Sequence, residues 1–221
     1  QTEVITSSLA TDFYLKRRRA EQVYLIGEEG LKQAIEAIGC QVINSRNFDY
    51  HLLSDHPALK SSQYVVVGLD REINYNKLAC ATIAINHGAG FIATNIDKAL
   101  PTEHGLLPGN GSLVSVIQTA TGIKPIVIGK PEQLMVEYID EVFKVKRSSM
   151  LMIGDNYETD IMLGINGQID TALVYSGFSK PEDIKELIQP TYQWENLSQF
   201  ERDVSFYSSN SSSSSCLRAS E

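Results

Sequence analysis

The sequence predicts an α/β fold with a parallel sheet and helices on both faces. Short apolar runs alternate with longer segments whose apolar residues recur at helical spacing, a pattern typical of strands joined by crossover helices. Glycine directly follows several of the runs, at Gly27, Gly68, Gly129 and Gly154. Because parallel sheets bind ligands outside the carboxyl ends of their strands, the residues after these glycines are the first candidates for a functional site.

The individual elements follow from run length and periodicity. Apolar runs predict strands at residues 23–26, 64–67, 91–93, 126–128, 150–153, 171–174 and 192–194. Helices are predicted at residues 6–19, 28–38, 75–86, 112–121, 132–143 and 181–188. The predicted apolar faces of the first, second and fourth helices are, in order, Leu9, Phe13 and Tyr14; Leu31, Ala34, Ile35 and Ile38; and Leu113, Val116, Ile117 and Ala120.

Two polar connections interrupt this alternation. Residues 44–62 contain His51 and His56, which a metal could bind, but no cysteine or third histidine stands at a useful spacing. We therefore interpret both as surface histidines. Residues 101–111 are rich in turn formers and predict a hinge. Their glycines do not follow the outline of a phosphate-binding loop, so a phosphate site is not assigned to them.

Composition narrows the possible partners. The 221 residues carry a net charge of −8, which argues against a nucleic-acid partner, and the basic run at residues 16–19 is too short to reverse this. Cys40, Cys80 and Cys216 are far apart and odd in number. They predict neither a disulfide framework nor a metal cluster, and they fit a reducing cytoplasm. No apolar stretch approaches the roughly 18 residues of a membrane span.

The strongest candidate site is the segment MLMIGDNYETD. A buried strand ends at Gly154, Asp155 follows it, and Asp160 opens the next apolar segment, IMLGI. Asp155 is placed to bind a hard cation such as Mg²⁺, which takes one or two carboxylates together with water and phosphate oxygens. Asp160, at a helix start, can accept backbone N–H bonds and brace the loop. The alternative is an ordinary strand–turn–helix with a capping acid.

A second strand ends in a cation. Lys130 follows an apolar run and Gly129, and Pro131 is placed at the first position of the next helix. Two parallel strands joined by a helix would thus end in Lys130 and Asp155. A phosphate bound beside a metal needs this pair, because the lysine neutralises phosphate oxygens while the carboxylate holds the metal.

The segments around these residues resemble known motifs. IGKPEQLM and IGDNYETDIMLGI are similar to the third and fourth motifs of the haloacid dehalogenase (HAD) superfamily of phosphatases, and more narrowly to its NagD-type, p-nitrophenylphosphatase-like branch. The resemblance extends from Val4 to Phe200. It includes, in the family's order, TSSLATDFYL, VYLIGEEGL, YVVVGLD, GAGFIATNID, PTEHGLLPGNGS and DTALVYSGFS.

This resemblance implies both an architecture and an activity. It implies a Rossmann-like parallel-sheet core, its amino-terminal part missing, with an inserted α/β cap. The expected division is a helix leading from core to cap, the cap, the core and a disordered serine-rich tail, at residues 1–19, 20–107, 108–204 and 205–221. The implied activity is Mg²⁺-dependent hydrolysis of a small phosphorylated metabolite, such as a sugar phosphate or nucleotide, through an aspartyl-phosphate. A cytoplasmic protein, without nucleic-acid or membrane partners and able to form a homo-oligomer, is expected.

The family's motifs assign roles to the first candidate residues. Asp155 would be a Mg²⁺ ligand, and Lys130 would hold the transferring phosphoryl group. Asp160 would orient the loop and Lys130. Asn156, next to the metal ligand, is expected to contact the substrate.

A further pair of candidates follows the strand at residues 91–93. The resemblance places Asn95 and Asp97 in a cap loop at the entrance of the active site, where they would contact the substrate. The alternative, which we weigh equally, is an Asx-turn in which both side chains satisfy their own backbone.

The family's first two motifs are not found. The first is a strand ending in DxDG[TV], whose first Asp is the nucleophile, and both motifs should precede Val4. We therefore expect a fragment that lacks its amino-terminal segment, because an aspartyl-phosphate cannot form without the carboxylate. Asp70 and Glu72 also follow a strand, two positions apart, which is the outline of a hidden first motif. Glu72 replaces Asp and no Gly-Thr or Gly-Val follows, so we interpret this segment as part of the cap.

Two other functions compete with the phosphatase. The chain could be an inactive fragment, or a phosphate- or metal-binding module that retains Lys130 and Asp155 without a nucleophile. A dinucleotide-binding oxidoreductase fits the α/β pattern but lacks the glycine fingerprint after an early strand. A sheet without its first strand has an unpaired edge, so association or poor solubility of the isolated chain is also predicted.

Overall fold

The apolar runs form parallel sheets in two separate units of the chain. The computed structural model describes residues 4–44 and 56–200. The chain divides into Gln1–Lys144 and Val145–Glu221, called unit 1 and unit 2 below. Parallel strands and helices in both units confirm the predicted α/β class. His51, Cys216 and the predicted tail lie outside the described residues.

Unit 1 is built on a five-stranded parallel sheet in the order β2-β1-β3-β4-β7. Its helices are α1 (Ser7–Arg17), α2 (Glu29–Ala37), α3 (Pro57–Ser61), α4 (Tyr75–Asn86), α5 (Asn110–Thr121) and α6 (Leu134–Phe143). Its strands are β1 (Gln22–Ile26), β2 (Gln41–Ile43), β3 (Tyr64–Val67), β4 (Gly90–Ala93), β5 (Ala99–Thr102), β6 (Gly105–Pro108) and β7 (Ile126–Val127). The register aligns Tyr24, Val65 and Phe91 across the centre of the sheet.

Both faces of this sheet are covered by helices. On one face Val65 and Phe91 pack with residues of α4 and α5. On the other face Val66 and Ile92 pack with residues of α1 and α2. Because neither face meets water, the central strands are continuous apolar runs instead of alternating apolar and polar residues.

The buried face of α5 differs from the predicted one. Val116 and Ala120 are exposed, and the buried apolar residues are Val114 and Ile117. The helix begins at Asn110, whose side chain is buried and donates hydrogen bonds to the backbone carbonyls of Val67 in β3 and Asn95 in the loop after β4. In α1, Tyr14 is buried as predicted, whereas Leu9 and Phe13 are only half-buried.

The predicted hinge at residues 101–111 is instead largely a β-hairpin. Strands β5 and β6 pair antiparallel, with Leu100 opposite Leu107 and Thr102 opposite Gly105. Gly105 has a φ of +102°, which a residue with a side chain rarely adopts. The turn formers are concentrated at the tip and both ends of this short hairpin, and the role of the segment as a hinge stays a prediction.

The chain divides into its two units after Lys144, so the predicted cap–core boundary at residues 107/108 lies within unit 1. Helix α5 packs on the five-stranded sheet through Val114 and Ile117, and β7 extends that sheet by pairing with β4. The strand that precedes Lys130 therefore belongs to unit 1. The assignment of cap and core to particular residues stays a prediction.

Unit 2 contains a three-stranded parallel sheet in the order β10-β9-β8. Its elements are β8 (Leu151–Gly154), α7 (Met162–Gly167), β9 (Asp170–Val174) and β10 (Tyr192–Trp194). A π-helical turn at Tyr157–Ile161 precedes α7. The predicted helix at residues 181–188 is only a 3-10 turn at Pro181–Ile184. Its apolar residues Leu187 and Ile188 are exposed, so no packing extends the turn into a helix.

The histidines and cysteines that could bind a metal do not form a cluster in the described part of the chain. His56 caps α3, because its Nδ1 accepts the N–H of Ala58 at 3.3 Å. Cys40 and Cys80 are buried free thiols, and burial raises the pKa of Cys80 to about 11. Across residues 4–44 and 56–200, no three His, Cys, Asp or Glu side chains form a group that could hold a metal. None of the helices in this part of the chain is both long and apolar enough to span a membrane.

Candidate active site

The predicted metal ligand, Asp155, directly follows strand β8. The strand end passes very close to Asp160, so a Cβ at Gly154 would collide with that side chain. Asp160 is buried, and its Oδ2 accepts the backbone N–H of Asn156 at 3.2 Å. The second acid of the motif thus holds the loop that carries the first, and glycine at position 154 is what allows the two to approach.

The loop after β9 fixes Asp155 from the other side. The N–H of Phe178 donates to Asp155 Oδ2 at 3.0 Å, and the N–H of Ser179 donates to the Asp155 carbonyl at 2.9 Å. A Cβ at Gly177 would collide with the Asp155 side chain. These contacts, called the Asp155 clamp below, are made by Gly177, Phe178 and Ser179.

The turn after Asp155 is capped by its own side chains. Asn156 Oδ1 accepts the N–H of Glu158 at 3.0 Å, so the predicted substrate contact is also the N-cap of the π-helical turn. Tyr157 N–H donates to Ser179 Oγ at 2.9 Å, and its hydroxyl donates to the Ile188 carbonyl at 2.8 Å. Burial raises the pKa of Tyr157, and its hydroxyl therefore stays protonated at neutral pH.

The Asp155 carboxylate fits a magnesium ligand. It is exposed, and only its Oδ2 accepts a hydrogen bond within the described residues. Oδ1 is therefore available to a cation. Mg²⁺ keeps several waters and is commonly bound through one or two carboxylates plus substrate phosphates. One exposed carboxylate with a fixed backbone is consistent with that mode, whereas a closed protein cage would need more ligands.

Lys130 belongs to the edge of the sheet in unit 1. Beyond β7, the N–H groups of Ile128 and Gly129 donate to the carbonyls of Ala93 and Thr94, each at 2.9 Å. A Cβ at Gly129 would lie 2.6 Å from the Thr94 carbonyl oxygen, so glycine is required for this approach. Lys130 follows in an exposed turn. Helix α6 begins only at Leu134, so the prediction of Pro131 at its first position was wrong.

The loop after β4 lies beside this turn. Asn95 Nδ2 donates to Asp97 Oδ2 at 2.6 Å, and Thr94 Oγ1 donates to Asn95 Oδ1 at 3.0 Å. The Asn95 side chain therefore bonds to the side chains of both Asp97 and Thr94. In an Asx-turn it would bond to the backbone instead. Within unit 1, the structure brings Asn95, Asp97 and Lys130 to the carboxyl edge of β4 and β7.

The segment after the hairpin supports the Asn95–Asp97 loop from behind. Asn110 Nδ2 donates to the Asn95 carbonyl at 2.8 Å, and Gly111 N–H donates to the Asp97 carbonyl at 2.9 Å. Side chains at Gly109 or Gly111 would collide with the loop backbone. The glycines of PGNG are thus explained by close backbone packing, and no phosphate loop is required.

Asp70 is committed to a structural role. It is 5% exposed, its Oδ2 is 2.7 Å from Lys77 Nζ, and its Oδ1 accepts the N–H of Glu72 at 2.9 Å. Arg71 makes two hydrogen bonds to Glu28, at 2.6 and 3.0 Å, and these lower the pKa of Glu28. Both carboxylate oxygens of Asp70 are occupied, which argues against Asp70 as a nucleophile.

The candidate residues therefore fall into two sets. Asp155, Asn156 and Asp160 come together in unit 2, while Asn95, Asp97 and Lys130 come together in unit 1. The strands that end in Lys130 and Asp155 belong to different sheets, so the expectation that these two strands lie together in one parallel core sheet was wrong. Sequence reasoning also missed the Asp155 clamp. The segment SGFS carried the only signal, three small residues and an apolar one after a strand.

Comparison with known proteins tests the resemblance directly. The HAD-hydrolase-like family model matches residues 127–200. The 5'-nucleotidase YutF of Bacillus subtilis (strain 168) is 43% identical over 202 residues, which are 90% of this chain and 73% of that protein. The acid sugar phosphatase of Staphylococcus epidermidis (strain ATCC 12228) is 42% identical over 197 residues, 88% of this chain and 71% of that protein.

The chain belongs to the HAD superfamily of phosphatases. Similarity to solved structures agrees: a double mutant of the thermostable NPPase from Geobacillus stearothermophilus superposes with a TM-score of 0.75 at 38% identity, covering 89% of this chain and 72% of that one. Within the superfamily, the relatives place this HAD protein in the NagD-type, p-nitrophenylphosphatase-like branch. The matched family segment includes Lys130, Asp155 and Asp160.

Proposed function

We propose that this HAD protein is a Mg²⁺-dependent phosphomonoester hydrolase that acts on a small phosphorylated metabolite. The observation that carries the proposal is the exposed Asp155 carboxylate, fixed at a strand end in the segment that matches the family model. The substrate class follows from relatives named 5'-nucleotidase and acid sugar phosphatase. A sugar phosphate or a nucleotide is therefore the proposed substrate.

Each candidate residue has a role in this proposal. Asp155 would hold Mg²⁺, which when bound would neutralise charge on the phosphoryl oxygens. Asp160 holds the Asp155 loop through the N–H of Asn156, and Lys130 supplies a cation for the phosphoryl group. The Nδ2 group of Asn156 would donate to the substrate, because its Oδ1 already accepts the capping hydrogen bond from Glu158.

The cap-type contacts are proposed for unit 1. Asn95 and Asp97 would contact the organic part of the substrate. The free acceptor there is Asp97 Oδ1, since Oδ2 accepts from Asn95, and a carboxylate oxygen selects hydrogen-bond donors such as sugar hydroxyls. The rigid support by Asn110 and Gly111 keeps this loop in place without a ligand.

The test is phosphate release from p-nitrophenyl phosphate with Mg²⁺ and with EDTA. Turnover that EDTA and Asp155→Asn both abolish would support the hydrolase. Asp70→Asn serves as the control for a hidden nucleophile: because Asp70 is bound to Lys77, we expect this variant to retain any activity. Loss of turnover in an Asp70→Asn variant whose far-UV circular dichroism spectrum matches that of wild type would identify Asp70 as the attacking carboxylate.

A second candidate is a phosphate- or metal-binding module. One observation favours it. Within residues 4–44 and 56–200, Asp70 is the carboxylate considered as a nucleophile, and both of its oxygens already bond to other groups of the protein. The proposed aspartyl-phosphate needs a carboxylate that is free to attack phosphorus. Mg²⁺-dependent phosphate binding without turnover would support the module, and recovery of turnover on adding a DxD-bearing segment would support the hydrolase. A cytoplasmic location and a homo-oligomer stay predictions.

A further inference from the structure

Phe178 is a large apolar side chain that is held in the open beside the candidate metal ligand. Phe178 is 72% exposed, although burial of a phenylalanine side chain is strongly favourable in free energy. Within residues 145–200, the other exposed apolar residues, Leu187, Ile188 and Leu197, make no hydrogen bond to Asp155. Phe178 does so directly, through its N–H to Asp155 Oδ2 at 3.0 Å.

The backbone that carries the Phe178 ring is fixed on both sides. On one side, Gly177 has no room for a Cβ against Asp155. On the other, Ser179 donates its N–H to the Asp155 carbonyl and accepts the N–H of Tyr157 on Oγ, each at 2.9 Å. The exposed ring is therefore attached to an ordered segment, in contrast to a loosely held loop tip.

The position limits what the ring can contact. The backbone nitrogen of Phe178 donates to the Asp155 carboxylate, and the Cα of Phe178 is one bond of about 1.46 Å from that nitrogen. The side chain therefore begins within a few ångströms of any group bound to the carboxylate. A phenyl ring offers an apolar edge and face and no hydrogen-bonding group. It can contribute nothing to holding a phosphoryl group, but it can pack against a planar apolar moiety joined to one.

We propose that Phe178 is a specificity-determining residue that packs against the organic part of the phosphomonoester bound at Asp155. Phosphomonoesters whose organic part is aromatic, such as aryl phosphates and nucleotides, are then favoured over small polar ones. This inference rests on the proposed function, because it takes Asp155 as the place where the phosphoryl group and its cation bind.

The test uses equilibrium binding of phenyl phosphate and methyl phosphate to the full chain in the presence of Mg²⁺, measured by isothermal titration calorimetry. The two ligands share the phosphoryl group and differ only in the organic part. Wild type should bind phenyl phosphate about three- to tenfold more tightly, the range expected of one aromatic contact. Phe178→Ala should bring this ratio close to one through a loss of phenyl phosphate affinity, since the ring is removed while the backbone N–H to Asp155 remains.

Two further variants make the result specific. Phe178→Tyr should keep the preference for phenyl phosphate, because it keeps the ring. Leu197→Ala, which removes another exposed apolar side chain of unit 2, should leave both affinities unchanged. An unchanged ratio in Phe178→Ala would overturn the proposal. An equal loss of both affinities would also overturn it, because that result means that the ring only maintains the Asp155 clamp.

Failure of the proposed function is recognised separately. Mg²⁺ is first titrated alone against wild type and Asp155→Asn. If wild type binds neither Mg²⁺ nor methyl phosphate, the proposed function fails and this inference fails with it. If wild type binds both but shows no preference for phenyl phosphate, only the role of Phe178 is rejected.

Discussion

Strands β4 and β8 have similar sequences but different surroundings. Each is a four-residue parallel strand with isoleucine at its third position, Ile92 in β4 and Ile153 in β8. Ile92 is fully buried, on the face of the sheet that α1 and α2 cover. Ile153 is half-buried, and β8 pairs only with β9 among the described residues. An apolar run predicts a strand, but the neighbouring strands decide how much of it is buried.

The difference also explains how each unit holds its candidate residues. In unit 1, Asn95 follows β4, which is paired on both sides, whereas Lys130 follows β7 at the edge of the five-stranded sheet. In unit 2, Asp155 follows a strand with one unpaired edge, and it is fixed mainly by polar contacts from the loop after β9. The predictions below test this contrast, and the largest effect comes first.

Truncation of the two isoleucines should have unequal effects. Ile92→Ala should lower the free energy of unfolding by about 2–5 kcal/mol, whereas Ile153→Ala should cost about 1–2 kcal/mol because part of its side chain already meets solvent. Urea denaturation followed by far-UV circular dichroism and by fluorescence of Trp194, a residue of unit 2, measures both. Equal losses would mean that β8 is covered in solution and would remove the contrast.

Within unit 1, a mostly buried ion pair should contribute more to the free energy of unfolding than an exposed one. Asp70 and Lys77 are mostly buried, at 5% and 17% exposure of their side chains, so Asp70→Asn leaves a poorly solvated ammonium and should cost about 2–3 kcal/mol. Arg71 and Glu28 are exposed, and Glu28→Gln should cost less than about 1 kcal/mol. Denaturation midpoints of the two variants give the comparison, and a larger cost for Glu28→Gln would contradict it.

The Asp155 clamp should be sensitive to a single methyl group. In Gly177→Ala the new Cβ displaces the Asp155 carboxylate, and Mg²⁺ affinity should fall about 10- to 100-fold, as for other changes to groups that orient a ligand. Gly30→Ala is the matched control, because no atom lies within 4 Å of a Cβ at that position. Calorimetric titration with Mg²⁺ measures both variants. Unchanged affinity in Gly177→Ala would show that the clamp does not position the ligand.

Local sequence patterns predicted a helix or strand correctly where its formation did not depend on contacts with segments distant along the chain. The helix at residues 75–86 and the strand at 64–67 occur at the predicted positions, because period and run length are properties of the segment itself. The motif residues Asp155, Asp160 and Lys130 could be selected for a similar reason: glycine and a charged residue after an apolar run mark a strand end. The helix predicted at residues 181–188 stops as a 3-10 turn at Ile184, which is buried, because the later apolar residues Leu187 and Ile188 are exposed.

By itself, the sequence determined the α/β class, most of the strands, the candidate residues and the family resemblance. Only the tertiary structure decided that β7 pairs with β4, that residues 99–108 form a hairpin, and that the loop after β9 clamps Asp155. The physical reason is that these features are hydrogen bonds and close approaches between segments distant along the chain. Their donors and acceptors are backbone groups that every residue carries, so residue types reveal them only where glycine is required, as at Gly129, Gly154 and Gly177.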